Sequence, residues 1–136
     1  MIRSEIEIRV RYAETDKMGI AYHANYFTWF EVARVNMLEE LGIPYRDLEA
    51  EGFLLPVLAC KAKFMSSAFF DDLLLVTAVM AEPPLARIEL TYEVRRGEEL
   101  LCTGSTTHGF VTKEGELTRP PARFVELARG RFRESS

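Results

Sequence analysis

Hydrophobic and polar residues alternate strictly near the start of the chain. Every second residue between Glu5 and Tyr12 is apolar, and charged residues occupy the other positions. This two-residue period is typical of a strand with one buried and one solvated face. Polar residues and Gly19 end the alternation, so we expect a loop over residues 13–21.

A long, mostly apolar segment follows the loop and predicts a helix. The helix should begin at about Asn25, a residue suited to the N-cap or the first turn, and end at Leu41. Gly42 and Pro44 supply a C-terminal stop signal.

The predicted helix has little polar surface. With successive residues roughly 100° apart, one broad apolar face holds Tyr26, Phe30, Ala33, Met37 and Leu41, whereas Trp29, Val32 and Val35 fall on the opposite side among polar residues. A helix that is apolar on most sides should be enclosed by the domain or by a second subunit. Arg34 lies inside the apolar arc and should be paired, with Glu31 one turn earlier as the nearest candidate.

Strand patterns joined by short turns dominate the rest of the chain. We predict a short helix at Tyr45–Gly52, a terminal helix at Arg123–Arg133, and strands between them at Phe53–Phe64, Leu73–Ala81, Arg87–Arg95 and Leu100–Thr112. This order predicts an α+β fold in which an antiparallel sheet packs on one helix. The length suits one domain over residues 1–136.

Composition and charge narrow the classes of function. The net charge of −4 argues against general nucleic-acid binding, although a few local groups could still hold an anionic small ligand. No apolar run is long enough to cross a bilayer and no signal peptide opens the sequence, so we expect a cytoplasmic protein.

Cys60 and Cys102 match no metal spacing, and we predict no metal site. We expect both to be reduced core residues, with a disulfide as the alternative.

One motif covers the loop and the start of the predicted helix. The segment from Tyr12 to Tyr26 reads YAETDKMGIAYHANY, and FEVAR follows it. This pattern resembles the hotdog-fold acyl-CoA thioesterases, above all the 4-hydroxybenzoyl-CoA thioesterase group and its bacterial relatives that act on short-chain acyl-CoA. The similarity runs from Val10 through the SxAxxDD segment at Ser66–Asp72 to the Pro-Pro pair after the last strand. It implies a hotdog fold, an antiparallel sheet of about five strands wrapped around one long helix.

The resemblance implies that Asp16 is the catalytic carboxylate, as nucleophile on a thioester carbonyl or as general base for water. A helix that starts near His23 also offers free backbone N–H groups to an oxygen that gains charge. The resemblance points to the His23 N–H, and we name His23 with Asp16 as the candidate catalytic residues. Without the motif, Asp16 would be interpreted as a carboxylate in an Asx-type turn. The His23 imidazole could be a polar wall, a water-positioning group or a structural residue.

Candidate substrate-binding residues come from two segments. They are Tyr22, Asn25 and Tyr26 in the motif, and Lys61, Lys63, Ser66 and Ser67 around the turn before Phe69. Asn25 and Tyr26 could orient the loop instead, and the lysines could simply keep a strand edge soluble. Glu31 and His108 are not predicted to act in the site. Glu31 corresponds to the helix carboxylate of a related hotdog branch but should form an ion pair here, and His108 should be a satisfied sheet residue.

The leading hypothesis is an enzyme that hydrolyses acyl-CoA to a free acid and coenzyme A. No separate cofactor is expected, because coenzyme A is part of the substrate. The alternatives are an acyl-carrier-protein thioesterase and a hotdog protein that binds an acyl thioester without hydrolysing it. The resemblance also implies a homodimer at minimum, with the active site at the interface, and a homotetramer built from two dimers.

Overall fold

The computed structural model describes residues 1–134. Its helices are α1 (Asn25–Leu41), α2 (Tyr45–Ala50) and α3 (Ala122–Glu134). Its strands are β1 (Ile2–Arg9), β2 (Phe53–Leu54), β3 (Val57–Phe64), β4 (Leu73–Met80), β5 (Arg87–Arg96), β6 (Glu99–Thr112) and β7 (Leu117–Thr118). None of these helices is long and apolar enough to span a bilayer.

The strands form one antiparallel sheet that packs against α1. Strands β1, β4, β5 and β6 lie side by side in that order, and β3 pairs with the other side of β6. The two-residue strands β2 and β7 extend this arrangement at the end of β6. The structure therefore confirms an α+β fold with an antiparallel sheet around one long helix.

The core is the layer between α1 and the inner face of the sheet. Eight residues of α1, spaced three or four apart, form the buried stripe: Tyr26, Trp29, Phe30, Ala33, Arg34, Met37, Leu38 and Leu41. The ring of Phe30 is fully buried and stacks on Tyr92 of β5, with 4.4 Å between ring centroids. A Cβ at Gly104 of β6 would collide with this ring, so glycine is what allows Phe30 to lie directly on the sheet. Burial of one such aromatic side chain is worth about 1.5–3 kcal/mol.

Most predicted boundaries are correct within a few residues, and the exceptions have physical causes. Strand β1 begins earlier and ends at Arg9, so Tyr12 lies in a short 3-10 turn and is exposed rather than on the inner face. Pro56 divides the predicted strand at Phe53–Phe64 into β2 and β3, because a proline cannot donate to the ladder. The prediction for α1 is confirmed, with Asn25 in the first turn and Gly42 in the left-handed conformation after its end.

The structure corrects one prediction about burial, that of Cys60, and identifies the partners of Trp29 and Arg34. Trp29 is buried, and its indole N–H donates to Glu14 at 2.9 Å. Cys60 is exposed, because β3 is an edge strand of the sheet, whereas Cys102 is buried; both thiols are free. Arg34 is paired chiefly with a histidine of β6, and its guanidinium lies 4.0 Å from Glu31, at the limit of an ion pair.

Candidate active site

Asp16 lies in a tightly hydrogen-bonded loop between β1 and α1. Its backbone N–H donates to the carbonyl of Ile20 at 2.9 Å, and its own carbonyl accepts from Gly19 at 3.0 Å. Gly19 has φ near +79°, which suits a residue without a Cβ. The carboxylate accepts the Met18 N–H through Oδ1 at 2.8 Å, which is the Asx-type turn considered above. This turn uses one carboxylate oxygen and leaves Oδ2 without a hydrogen-bond donor within residues 1–134.

The start of α1 lies beside this loop. The N–H groups of Asn25, Tyr26 and Phe27 donate to carbonyls three residues earlier, so the first turn closes on itself. Among residues 1–134, the His23 N–H has no backbone acceptor, and it precedes the positive end of the helix dipole. A free donor is thus available at the beginning of the buried helix.

Asp16 and His23 share a cleft of about 350 Å³. Tyr26 lines it from α1, and Ser66 and Ser67 line it from the segment after β3. The remaining lining residues are mostly apolar: Met18, Ile20, Ala21, Phe64 and Met65. The cleft therefore combines one carboxylate, one imidazole and an apolar wall.

Arg96 of β5 fixes the segment that carries the two serines. Its guanidinium donates to the Ser67 carbonyl at 3.1 Å, to Asp72 at 2.7 Å and to Glu99 at 2.7 Å. These bonds to Glu99 and Asp72 raise the pKa of Arg96. The Ala21 N–H also donates to the carbonyl of Ala68 at 2.8 Å, which ties the serine segment to the Asp16 loop. Both walls of the cleft are thus held by hydrogen bonds.

The structure brings together five of the nine predicted site residues, namely Asp16, His23, Tyr26, Ser66 and Ser67. Tyr26 is buried, and burial raises the pKa of its hydroxyl. The His23 ring packs on Tyr22, with centroids 4.5 Å apart, and lies near Phe64 of the cleft wall. Tyr22 itself is half exposed and outside the cleft lining.

The other three predicted residues point elsewhere. Asn25 donates through Nδ2 to the carbonyl of Glu14 at 2.8 Å, so its amide joins the loop to the helix. Lys61 and Lys63 are exposed on β3, opposite Ser105 and Thr103 of β6, and line a separate groove on the outer face of the sheet. Strand alternation puts them on the opposite face from Phe64. Their part in substrate binding stays a prediction.

Sequence reasoning missed several residues that build the site. Met18 and Met65 line the cleft next to residues that were identified, so adjacency was a usable signal for both. Arg96 lies 24 residues from Asp72 in sequence, and the sequence gives no local indication of that contact. Within residues 1–134, the structure contains no group of His, Cys, Asp or Glu side chains placed to hold a metal ion.

Comparisons with known proteins identify the family of the chain. A model of the thioesterase-like superfamily matches residues 10–128. The chain is 26% identical over 130 residues to 4-hydroxybenzoyl-CoA thioesterase of Pseudomonas sp., covering 88% of this chain and 92% of that protein. It is 33% identical over 97 residues to the acyl-CoA thioesterase YbgC of Haemophilus influenzae, covering 69% and 70%. The structure of a DHNA-CoA thioesterase from Staphylococcus aureus superimposes with a TM-score of 0.90 at 34% identity, covering 98% and 93%.

Proposed function

The chain belongs to the thioesterase-like superfamily, has the hotdog fold and is a thioester hydrolase; from this premise we propose that it cleaves acyl-CoA to a free acid and coenzyme A, with Asp16 as the catalytic carboxylate. The observation that carries the proposal is that Asp16 and the start of α1 line one cleft. A carboxylate and a free backbone amide suit the hydrolysis of a thioester, since thiolate is already a good leaving group.

The Asp16 carboxylate can act in two ways, and both use the same geometry. As a nucleophile, Oδ2 bonds to the carbonyl carbon, the C–S bond breaks, and the electron pair leaves with coenzyme A, which takes a proton. Water then hydrolyses the mixed anhydride and restores Asp16. As a general base, Asp16 takes a proton from water while the water oxygen bonds to the carbonyl carbon, and that proton passes to the departing thiolate.

The His23 N–H is our candidate for the oxyanion site. The amides of Asn25, Tyr26 and Phe27 are already bonded in the first turn of α1, whereas the His23 N–H has no backbone acceptor within residues 1–134. In the tetrahedral state the thioester oxygen carries negative charge, and a fixed backbone donor in a largely apolar cleft stabilises that charge without having to reorient. The His23 imidazole lies in the same cleft wall, and its role in positioning water stays a prediction.

We further propose that two copies pair through β3. This eight-residue strand has β6 on one side only, and all but one of its residues are exposed, including Val57, Leu58 and Phe64. An open, partly apolar edge is normally covered. Antiparallel pairing of two β3 strands would continue the sheet and bring a partner to the cleft, because Phe64 at the end of β3 lines it. Light scattering should then give a dimer or a tetramer of two dimers, whereas a stable monomer would contradict the pairing.

Thiol release from a panel of acyl-CoA substrates tests the function. Asp16→Asn should lower kcat by about 100-fold or more, the range expected when a general base or nucleophile is removed. Glu31→Gln is the matched control, because Glu31 is an exposed carboxylate on the adjacent helix α1. It should keep the wild-type rate. Equal rates for wild type and Asp16→Asn would remove Asp16 from the mechanism, and a large loss in Glu31→Gln would transfer the role to the helix.

The names of the relatives favour coenzyme A over a protein as the acyl carrier. Supplying one acyl group either on coenzyme A or on acyl carrier protein separates the two carriers. A higher kcat/KM for the coenzyme A thioester supports the proposal, and a strong preference for the carrier protein would replace it. A cytoplasmic location remains a prediction.

A further inference from the structure

Glu14 is a buried carboxylate two residues before Asp16, and it does not line the cleft. Its side chain is 5% exposed. Burial of a carboxylate is costly unless hydrogen bonds compensate for lost water. Here the Arg11 N–H donates to Oε1 at 2.8 Å, and the Trp29 indole N–H donates to Oε2 at 2.9 Å. The Arg11 guanidinium adds a longer contact at 3.4 Å.

The backbone of the same residue carries a second set of bonds. The Glu14 carbonyl accepts the Asn25 side-chain amide and the Tyr22 N–H, both at 2.8 Å. Glu14 therefore connects the chain just after β1, the segment before α1, and α1 itself one turn inside its start. Directly beyond it, Thr15 pairs with Ala21 to form the base of the small loop that presents Asp16.

We propose that Glu14 is a positioning residue that sets the place of the Asp16 carboxylate relative to the first turn of α1. This inference rests on the function proposed for Asp16. Through Trp29, the Glu14 carboxylate ties the loop to the buried helix, and it does so without contacting the substrate. A carboxylate only accepts hydrogen bonds, so the Glu14 side chain can accept from Arg11 and Trp29 together. A glutamine would present an NH₂ group to one of the two donors.

Misplacement of a catalytic group by about 1 Å can lower a rate by about 100-fold. We therefore expect Glu14→Gln and Trp29→Phe each to lower kcat by about 10- to 100-fold while KM changes by less than about threefold. Trp29→Phe keeps an aromatic side chain in the core and removes the indole donor together with part of the ring volume, and it carries the test if Glu14→Gln fails to fold.

A matched control separates positioning from a general loss of stability. Tyr92→Phe removes one buried hydrogen bond, the 2.7 Å contact between Tyr92 and Thr106, beneath the same helix but apart from the Asp16 loop. It should lower the melting temperature as Trp29→Phe does and leave kcat within about twofold of wild type. The measurements are kcat, KM and melting temperature on one acyl-CoA substrate.

The turnover of these variants distinguishes a positioning role of Glu14 from a general loss of stability. Folded Glu14→Gln and Trp29→Phe proteins with wild-type kcat would overturn the positioning role, as would an equal loss of kcat in Tyr92→Phe. Failure of the proposed function is detected separately, since it would appear as wild-type turnover by Asp16→Asn. In the double variant of Glu14→Gln and Asp16→Asn, residual turnover should match that of Asp16→Asn alone, because Glu14 acts only through Asp16.

Discussion

The folding free energy should depend on pH through His108, and His108→Asn should remove that dependence. His108 is almost fully buried on β6, with Nδ1 2.7 Å from the Arg34 guanidinium and Nε2 2.7 Å from the Thr106 hydroxyl. Arginine can only donate, so Nδ1 must accept and the imidazole proton resides on Nε2. A second proton would have to bind at Nδ1, against the Arg34 charge. Asparagine can accept from Arg34 and donate to Thr106 but does not titrate.

The magnitude follows from the pKa. Burial, and then the charge of Arg34, lower the pKa of His108 from an ordinary 6.5 to about 4. As the pH falls below 6.5, the unfolded chain takes up a proton that the folded chain refuses, so stability is lost between pH 6.5 and 4. The full difference is about 3 kcal/mol, and about 2 kcal/mol of it falls between pH 7 and 5.

Urea unfolding at pH 7 and pH 5, at one protein concentration, measures this loss. The wild type should lose about 2 kcal/mol more than His108→Asn between the two pH values. The difference between proteins is the relevant quantity, because the exposed groups common to both cancel. Equal losses would show that His108 is protonated in the folded state and that its contact with Arg34 is misassigned.

Two further predictions test the packing and the thiols. Gly104→Ala should lower the unfolding free energy by about 1–3 kcal/mol, because its Cβ would collide with the ring of Phe30. The control Gly130→Ala in α3 meets no such obstacle and should stabilise the folded protein by about 0.5–1 kcal/mol. Unchanged stability of Gly104→Ala in urea unfolding would contradict the packing. Burial raises the pKa of Cys102 to about 11, so at pH 8 a thiol reagent should modify Cys102 only on unfolding. The exposed Cys60 should react where the β3 edge is open, and fast reaction of both thiols in the folded protein would refute the assignment.

Local patterns predicted much of the fold. The alternation before the loop and the apolar segment after it predicted β1 and α1, and the bounds of α1 are those observed, Asn25–Leu41. These signals are local, because a strand or an amphipathic helix needs only its own residue spacing to be recognised. The motif likewise indicated Asp16 as the candidate catalytic residue.

Contacts between distant segments were beyond the same reasoning. The periodicity of the helix placed Trp29 among polar residues and gave no indication of its partner. That partner, Glu14, comes close only because of the path that the loop takes. Cys60 was expected in the core because nothing in a strand's own sequence states whether it lies at the edge of the sheet. By contrast, strand alternation alone would have predicted that Lys61 and Lys63 lie on the opposite face of β3 from Phe64.

The distance between Asp16 and the reacting carbon decides whether Asp16 can act as the catalytic carboxylate. A crystal structure with a non-hydrolysable acyl-CoA analogue measures it directly. We predict the carbon that replaces the thioester carbonyl within about 3–3.5 Å of the Asp16 carboxylate, or separated from it by one water, with its oxygen facing the His23 N–H. An acyl group bound in the outer groove beside Lys61, or far from the start of α1, would contradict the account.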